Sequence, residues 1–356
     1  MASESKLSKL HFSRIVLGTM RMTEWGAKMT WKEADQLLRK CLAFGITTLD
    51  TADIYGNYTV ESLLGEVFQH DPQLREQFQI VTKCGIKLVC AQRPQHKLKC
   101  YDSSKEHILA SVKNSLDCMK TNYIDVLLLH RFDPLGDPDE IAEAFTWLKK
   151  EGWLNASGSD GDGGDGDDDG VVRAHQRPSQ NPITIQSQSN HNPINSQPNN
   201  HPSGQVRHFG VSNYSPSQFH LLQSRLPKDI QLCTNQVQCS VLHPEVLTDG
   251  TIDVCVQYGI QPMAWSPLAG GILMKSTDER TTRARNVLKE IGHAYDHATV
   301  DQMAIAWLLA HPSKMTVVYG TSNVNRLESA SKALQIKMTR EEWFRVLEAC
   351  QGREVP

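Results

Sequence analysis

No run of about 18 apolar residues occurs in this 356-residue chain, so nothing in it reads as a membrane-spanning helix. Residues 1–14 lack the apolar core of a secretory signal. The nine cysteines include no C-x-x-C pair, are odd in number and are scattered through apolar runs, which disfavours both a zinc site and a disulfide framework. Charge of one sign is not in excess. The net charge of −3 gives no reason to expect nucleic acid or an anionic membrane as a partner. What remains by default is a cytoplasmic enzyme; a monomer that holds no metal and acts on a small molecule is the accompanying expectation.

The stretch Leu49-Asp50-Thr51-Ala52-Asp53-Ile54-Tyr55-Gly56 organises the rest. It follows a short apolar run, residues 44–48, that reads as a buried strand, and it ends on a turn signal before a helical pattern starting at Val60. Two carboxylates and a phenol thus sit where a strand gives way to a loop. In an alternating strand–helix chain that is where chemistry is usually placed. A free phenol, with a pKa near 10, is a poor proton donor at neutral pH, so it needs a cation to lower that pKa and a polar group to aim it.

Strands are predicted over residues 13–18, 78–83, 124–129, 206–211, 230–237, 260–265 and 316–319. Between them lie helical patterns at 31–44, opened by Thr30, at 60–69, at 103–119 with Ser103 and Glu106 as a capping box, and at 137–150. Further helices are predicted at 215–224, 246–258, 277–293, 300–310, 323–333 and 339–350. The pattern amounts to about eight strand–helix units, the number that closes a parallel barrel. The fold class is therefore α/β, a (β/α)8 TIM barrel with extra C-terminal helices. A doubly wound open sheet is the alternative, but no G-x-G-x-x-G follows the first strand.

Residues 153–203 break the periodicity: an Asp/Gly run is followed by a stretch rich in Gln, Asn, Ser, Pro and His. Such a composition cannot bury enough surface to offset its ordering entropy and is read as disordered. Asp165, Asp167, Asp169 and Gly170 mimic the opening of a calcium loop, but the twelfth position is Gln176, so a solvated acidic run is the reading. The chain is accordingly divided into a first half-barrel (1–152), the insertion (153–203), and a second half-barrel with C-terminal helices (204–356). Either retained non-coding sequence or a low-complexity expansion accounts for the insertion.

In a barrel, residues at the C-terminal strand ends converge on one mouth. That rule gathers Asp50, Tyr55, Lys83 and His130. A buried ammonium at Lys83 would favour the tyrosinate form of Tyr55, Asp50 would keep that lysine charged, and His130 could orient a carbonyl oxygen or share proton donation. Any one of these residues has an ordinary structural reading; four at matching strand ends do not.

The words that carry these four, LDTADIYG, VTKCG and LLLHR, resemble those of the aldo-keto reductases, with a bacterial oxidoreductase subgroup the nearest in wording. The resemblance implies that Asp50, Tyr55, Lys83 and His130 are the catalytic tetrad, with Tyr55 as proton donor. It also implies cofactor contacts. Gly18, Thr19 and Asp50 lie at the first strand ends, and Ser212, Asn213 and Gln236 hold the nicotinamide amide. Trp265 stacks on the nicotinamide ring, Ser266, Leu268 and Gly270 run along the pyrophosphate, and Gly320, Thr321, Ser322, Asn323 and Arg326 clamp the adenosine 2′-phosphate. Arg326 favours NADPH over NADH. Gly320 stands where many members carry a lysine, and Ala330 where an asparagine is frequent. Met20, Trp25, Arg131 and Phe132 would line an apolar substrate pocket with one charge. The expected activity is hydride transfer from NADPH to an aldehyde or ketone. Two alternatives are a nucleotide-binding redox sensor with little turnover and, much less favoured, a metal-dependent barrel hydrolase.

Overall fold

The computed structural model describes residues 10–150 and 205–355. The disorder reading for 153–203 and the calcium-loop likeness within it lie outside the described residues. Eight parallel strands close a barrel: β1 (Ile15–Gly18), β2 (Thr48–Asp50), β3 (Gln79–Cys84), β4 (Ile124–Leu129), β5 (Val206–Ser212), β6 (Leu232–Gln238), β7 (Met263–Trp265) and β8 (Thr316–Tyr319). Each pairs with the next in sequence, and the ring shuts where Leu17 of β1 lies opposite Tyr319 of β8. Gly18 sits at that seam: a Cβ on it would stand 3.2 Å from the Gly320 Cα, a tight contact that the two strand ends would have to give way to accommodate.

The strands alternate between two apolar environments. Val16, Val81, Val126, Leu128, Met263 and Val318 point inward and fill the barrel, with Phe12 packed against them from the segment before β1. Their neighbours in sequence point outward to the helix layer. That layer comprises α1 (Trp31–Ala43), α2 (Val60–His70), α3 (Lys105–Met119), α4 (Pro138–Lys150), α5 (Pro216–Arg225), α6 (Thr251–Gln257), α7 (Glu279–Gly292), α8 (Val300–Leu309) and α9 (Val324–Lys332). A final helix, α10 (Arg340–Gln351), packs on α7 and α8, where the Trp343 and Trp307 rings stack at 4.7 Å. Thr30 caps α1 as predicted, with Thr30 N donating to Glu33 Oε2 at 2.8 Å.

Four differences from the sequence reading have a clear physical cause or bear on the site. The apolar run 44–48 is mostly the turn that ends α1, with Gly45 at φ 73°, and β2 begins only at Thr48, so Asp50 is the last strand residue rather than the first loop residue. The cap of α3 is Ser104, whose hydroxyl accepts from His107 N. Ser103 instead donates its N–H and hydroxyl to Asp133. The predicted helix 246–258 splits into a 3-10 turn (Glu245–Leu247) and α6, because Gly250 adopts φ 88° between them. The strand predicted from residue 260 forms only at Met263.

The chain on either side of residues 151–204 comes together. Gln205 N donates to Leu148 O at 3.1 Å, and Ile124 N donates to Gln205 O at 2.7 Å. The backbone on either side of residues 151–204 therefore meets at the end of the barrel where helices feed strands, away from the C-terminal strand ends.

Candidate active site

The C-terminal ends of β2 and β3 bring Asp50, Tyr55 and Lys83 into direct contact. Lys83 is 1% exposed, yet its ammonium has three oxygen partners: Asp50 Oδ1 at 2.7 Å, the Thr51 carbonyl at 2.7 Å and the Tyr55 hydroxyl at 3.0 Å. Three acceptors for three ammonium protons is the condition for keeping a charged amine inside a protein. Burial alone favours the neutral amine, but Asp50 and then Tyr55 outweigh it and hold Lys83 above the ordinary lysine value.

The phenol behaves differently from the sequence expectation. Burial pushes the Tyr55 pKa up, Lys83 draws it back only in part, and Asp50 adds to the rise. The prediction that Lys83 would bring it below the ordinary value is therefore corrected. Depriving a phenolate of water costs more here than one neighbouring ammonium, itself shared with Asp50, returns. Tyr55 is thus a protonated phenol beside a charged lysine.

His130, the residue after β4, presents its ring to Tyr55 edge-on, with centroids 5.9 Å apart. Burial, then Lys83, Arg131 and Lys99, push its pKa well below the ordinary histidine value, so the imidazole is neutral and an imidazolium donor is disfavoured. Its Nδ1 is buried without a hydrogen-bond partner. The four catalytic candidates therefore converge, from three strand ends, on one spot.

A hydrogen-bonded belt extends from this spot across the mouth. Gln236 Nε2, at the middle of β6, donates to Asp50 Oδ1 at 2.6 Å. Ser212 Oγ donates to the Gln236 carbonyl at 2.8 Å, and Asn213 Nδ2 donates to Ser212 Oγ at 2.8 Å. Trp265 Nε1 donates to Asn213 Oδ1 at 3.0 Å. The residues expected to hold a nicotinamide amide and ring are thus tied in series to the lysine–tyrosine pair. Among the described residues no hydrogen bond reaches the side-chain carbonyl of Gln236, whose amide nitrogen is the atom bound to Asp50. Beyond Trp265 the chain turns through left-handed Ser266, Ala269, Gly270 and Gly271. Two non-glycine residues held in that region within four positions mark a backbone shaped for something other than its own stability.

The remaining predicted residues fall around the same rim. Thr19 is fully buried, its hydroxyl donating to the Asp50 carbonyl at 2.9 Å, so it braces the β2 end. Leu268 is half-buried and Gly270 exposed. After β8, Gly320 is exposed, Thr321 is buried and its hydroxyl accepts from Asn323 N, and Ser322 is half-buried. Asn323 caps α9, accepting from Asn325 N and Arg326 N, so the first amides of that helix are partly satisfied and a phosphate there would meet chiefly the exposed Arg326 side chain. Met20 and Trp25 are exposed, Arg131 and Phe132 half-buried, and the Trp25 ring lies 6.3 Å from that of Tyr55. Lys99, an exposed residue that the sequence reading did not flag, also bears electrostatically on His130.

Residues 14–159 and 200–350 match the Aldo/keto reductase family. An uncharacterized oxidoreductase of Bacillus subtilis is 37% identical over 98% of this chain and 97% of its own. The 6-dehydroglucose reductase of Agrobacterium fabrum is 35% identical, covering 98% and 97%. The chain belongs to the aldo/keto reductase family. This reductase shares its fold with an aldo/keto reductase from Klebsiella pneumoniae solved with NADP and acetate, at a TM-score of 0.65, 21% identity and coverage of 94% and 90%. It is an NAD(P)H-dependent oxidoreductase that acts on carbonyl groups. The described residues of this family member hold no group of three or more His, Cys, Asp or Glu able to bind a metal ion, and no helix long and apolar enough to cross a membrane.

Sequence reasoning missed two polar groups of the reductase site. One is the Thr51 carbonyl, invisible because a backbone acceptor has no residue signature. The other is Glu61, 2% exposed, which lies behind the site with Asp53, 5% exposed, a carboxyl the sequence reading had already counted. Burial and then Glu61 raise Asp53 well above the carboxylate range. Burial raises Glu61 to about 7, against hydrogen bonds from Thr82 and Ser115. The acid–acid–phenol grouping read from the sequence therefore separates: Asp50 serves the lysine, and Asp53 turns away.

Proposed function

We propose that the chain reduces an aldehyde or ketone with NADPH, with Tyr55 as proton donor, Lys83 and Asp50 as its electrostatic support and His130 as the group that orients the carbonyl. The observation that carries the reading is the Lys83 ammonium, fixed by Asp50 and Thr51 and bonded to the Tyr55 hydroxyl at 3.0 Å. Reduction leaves negative charge on the substrate oxygen. A protonated phenol supplies the proton that neutralises it, and the phenolate left behind forms beside a charge already in place. The ammonium thus stabilises the end of the proton transfer more than its beginning, which is what lowers a barrier. A neutral His130 can donate a hydrogen bond to the same oxygen without competing as the acid.

The belt residues suit a nicotinamide. Gln236, with its open carbonyl, and Asn213 with Ser212 would hold the amide, and the Trp265 indole offers a flat apolar face to the ring. The Ser266–Gly271 turn and the exposed Arg326 would take the pyrophosphate and the 2′-phosphate; that arginine supports NADPH over NADH. When bound, the reduced nicotinamide supplies the hydride for the carbonyl carbon. All four catalytic groups come from one chain, which supports a monomer. The nine free cysteines suit a reducing, cytoplasmic compartment.

Steady-state oxidation of NADPH and of NADH with a reactive aldehyde such as 4-nitrobenzaldehyde tests the reading. Turnover with a higher kcat/KM for NADPH is expected. Tight NADPH binding without aldehyde-dependent oxidation would leave a nucleotide-binding regulator instead.

A further inference from the structure

The charge around the mouth is unbalanced, and the imbalance has a definite location. Arg131 directly follows His130 on the loop after β4, and its guanidinium lies 5.8 Å from the centre of the Trp265 ring. Among the described residues no carboxylate pairs with it, although many other arginines of the chain have one. Asp133, two residues along, and acids of the adjoining segments are committed elsewhere. Asp133 accepts from Ser103 N at 2.9 Å, Ser103 Oγ at 3.2 Å and Leu135 N at 2.9 Å. Asp102 is paired with Lys87 at 3.2 Å and with the Ser104 hydroxyl at 2.7 Å. Asp50 belongs to Lys83. Lys99, exposed just before the short strand Cys100–Tyr101 that pairs with Ile86–Lys87, bears on His130 after Lys83 and Arg131. It too has no carboxylate partner among the described residues.

Resting on the reductase reading, we propose that this mouth selects carbonyl substrates bearing an anionic group, such as a carboxylate, and that Arg131, seconded by Lys99, recognises that group. Arg131 is half-buried, so an anion reaching it meets a cation already partly stripped of water, where a charge-assisted pair is worth more than at open surface. A guanidinium beside the indole and beside His130 is placed to bind one end of a substrate while its carbonyl lies at the Tyr55 hydroxyl. The planar fork of arginine suits a carboxylate better than lysine does, which ranks Arg131 above Lys99. A neutral substrate leaves the half-buried Arg131 unpaired and gains nothing from it.

The test compares two aldehydes of matched electronics: 4-carboxybenzaldehyde and methyl 4-formylbenzoate, with saturating NADPH. The readout is the ratio of their kcat/KM values. In the natural chain the acid is expected to lead by about tenfold or more, the range for a hydrogen bond to a charged partner. Arg131→Gln is expected to bring the ratio close to one, and Lys99→Met to lower it about two- to threefold. Raising sodium chloride from about 50 to about 500 mM should lower the natural chain's ratio several-fold, a readout that does not depend on any variant folding. A ratio near one in the natural chain, or one unmoved by Arg131→Gln, overturns the proposal. So does a variant whose only defect is weaker NADPH binding by fluorescence titration, which would assign Arg131 to the nucleotide. Failure of the natural chain to reduce either aldehyde would fall on the reductase reading; reduction of the ester without preference for the acid falls on this inference alone.

Discussion

Lys83 and Thr82 are neighbours on β3, yet Lys83 points into the barrel, 2.7 Å from Asp50, whereas Thr82 points outward and donates to Glu61 at 2.6 Å. Each side buries a carboxyl group almost completely. On the inner side an ammonium sits directly on the carboxylate, and the pair has a third member, the Tyr55 hydroxyl. On the outer side the partners are hydroxyls, and burial raises Glu61 to about 7. The same depth of burial thus yields an ion pair on one face of the strand and a readily neutralised acid on the other. What decides the outcome is a cation within bonding distance, not the dielectric alone. Chemistry that needs a charge in place before substrate arrives can be built only on the inner face.

Removing the inner cation is the strongest way to break this contrast. Lys83→Met leaves Asp50 buried without its partner, which typically destabilises by about 3–5 kcal/mol, and strips Tyr55 of its support. Urea unfolding should record that loss, and aldehyde reduction should fall by at least about 10³-fold. A variant as stable and as active as the natural chain would erase the difference between the two faces.

The outer face yields a pH signature of opposite character. The folded Glu61 pKa of about 7 lies above the ordinary 4.5, so the folded chain holds a proton there that the unfolded chain releases between those values. Its contribution to stability is full below about pH 4.5 and is lost as pH rises through about 7. Glu61→Gln, which cannot ionise, should therefore gain stability relative to the natural chain between pH 5 and pH 8 by on the order of 2 kcal/mol. Parallel stability curves for the two proteins across that range would show Glu61 ionising freely and void the contrast.

The smallest effect is expected far from both faces. Leu148 and Gln205 are already hydrogen-bonded to each other, so a chain lacking residues 153–203 can close with a short loop at the end of the barrel opposite the mouth. That deletion should leave kcat/KM within about twofold, since the strand ends carrying the site are untouched. Loss of activity from a folded deletion variant would show that the insertion reaches the catalytic end.

The four groups at the site were readable because each is a titratable side chain at a strand end, and strand ends can be counted from apolar runs. Their ranking in energy was not readable. Whether Tyr55 is pushed up or drawn down depends on how burial compares with one shared ammonium, and burial is a property of the assembled barrel. The Thr51 carbonyl escaped because any residue supplies one. Glu61 carried no signal in the sequence, because its burial against Thr82 of β3 and Ser115 of α3 exists only once the barrel is assembled. Among the elements, Thr316–Tyr319 matched residue for residue, whereas residues 44–48 did not: an apolar run beside a glycine reads equally as strand or as the turn that ends a helix. Gly250 split a helix whose periodicity alone ran through it.

Replacing Tyr55 by phenylalanine measures the central claim with least disturbance, since it deletes one oxygen and keeps the ring that packs near Trp25 and His130. NADPH affinity should persist by fluorescence titration while aldehyde reduction falls by about 10²- to 10⁴-fold, the range for losing a general acid. Carbonyl turnover at the natural rate in that variant would mean the proton comes from elsewhere, and the lysine-held phenol would have no part in the reaction.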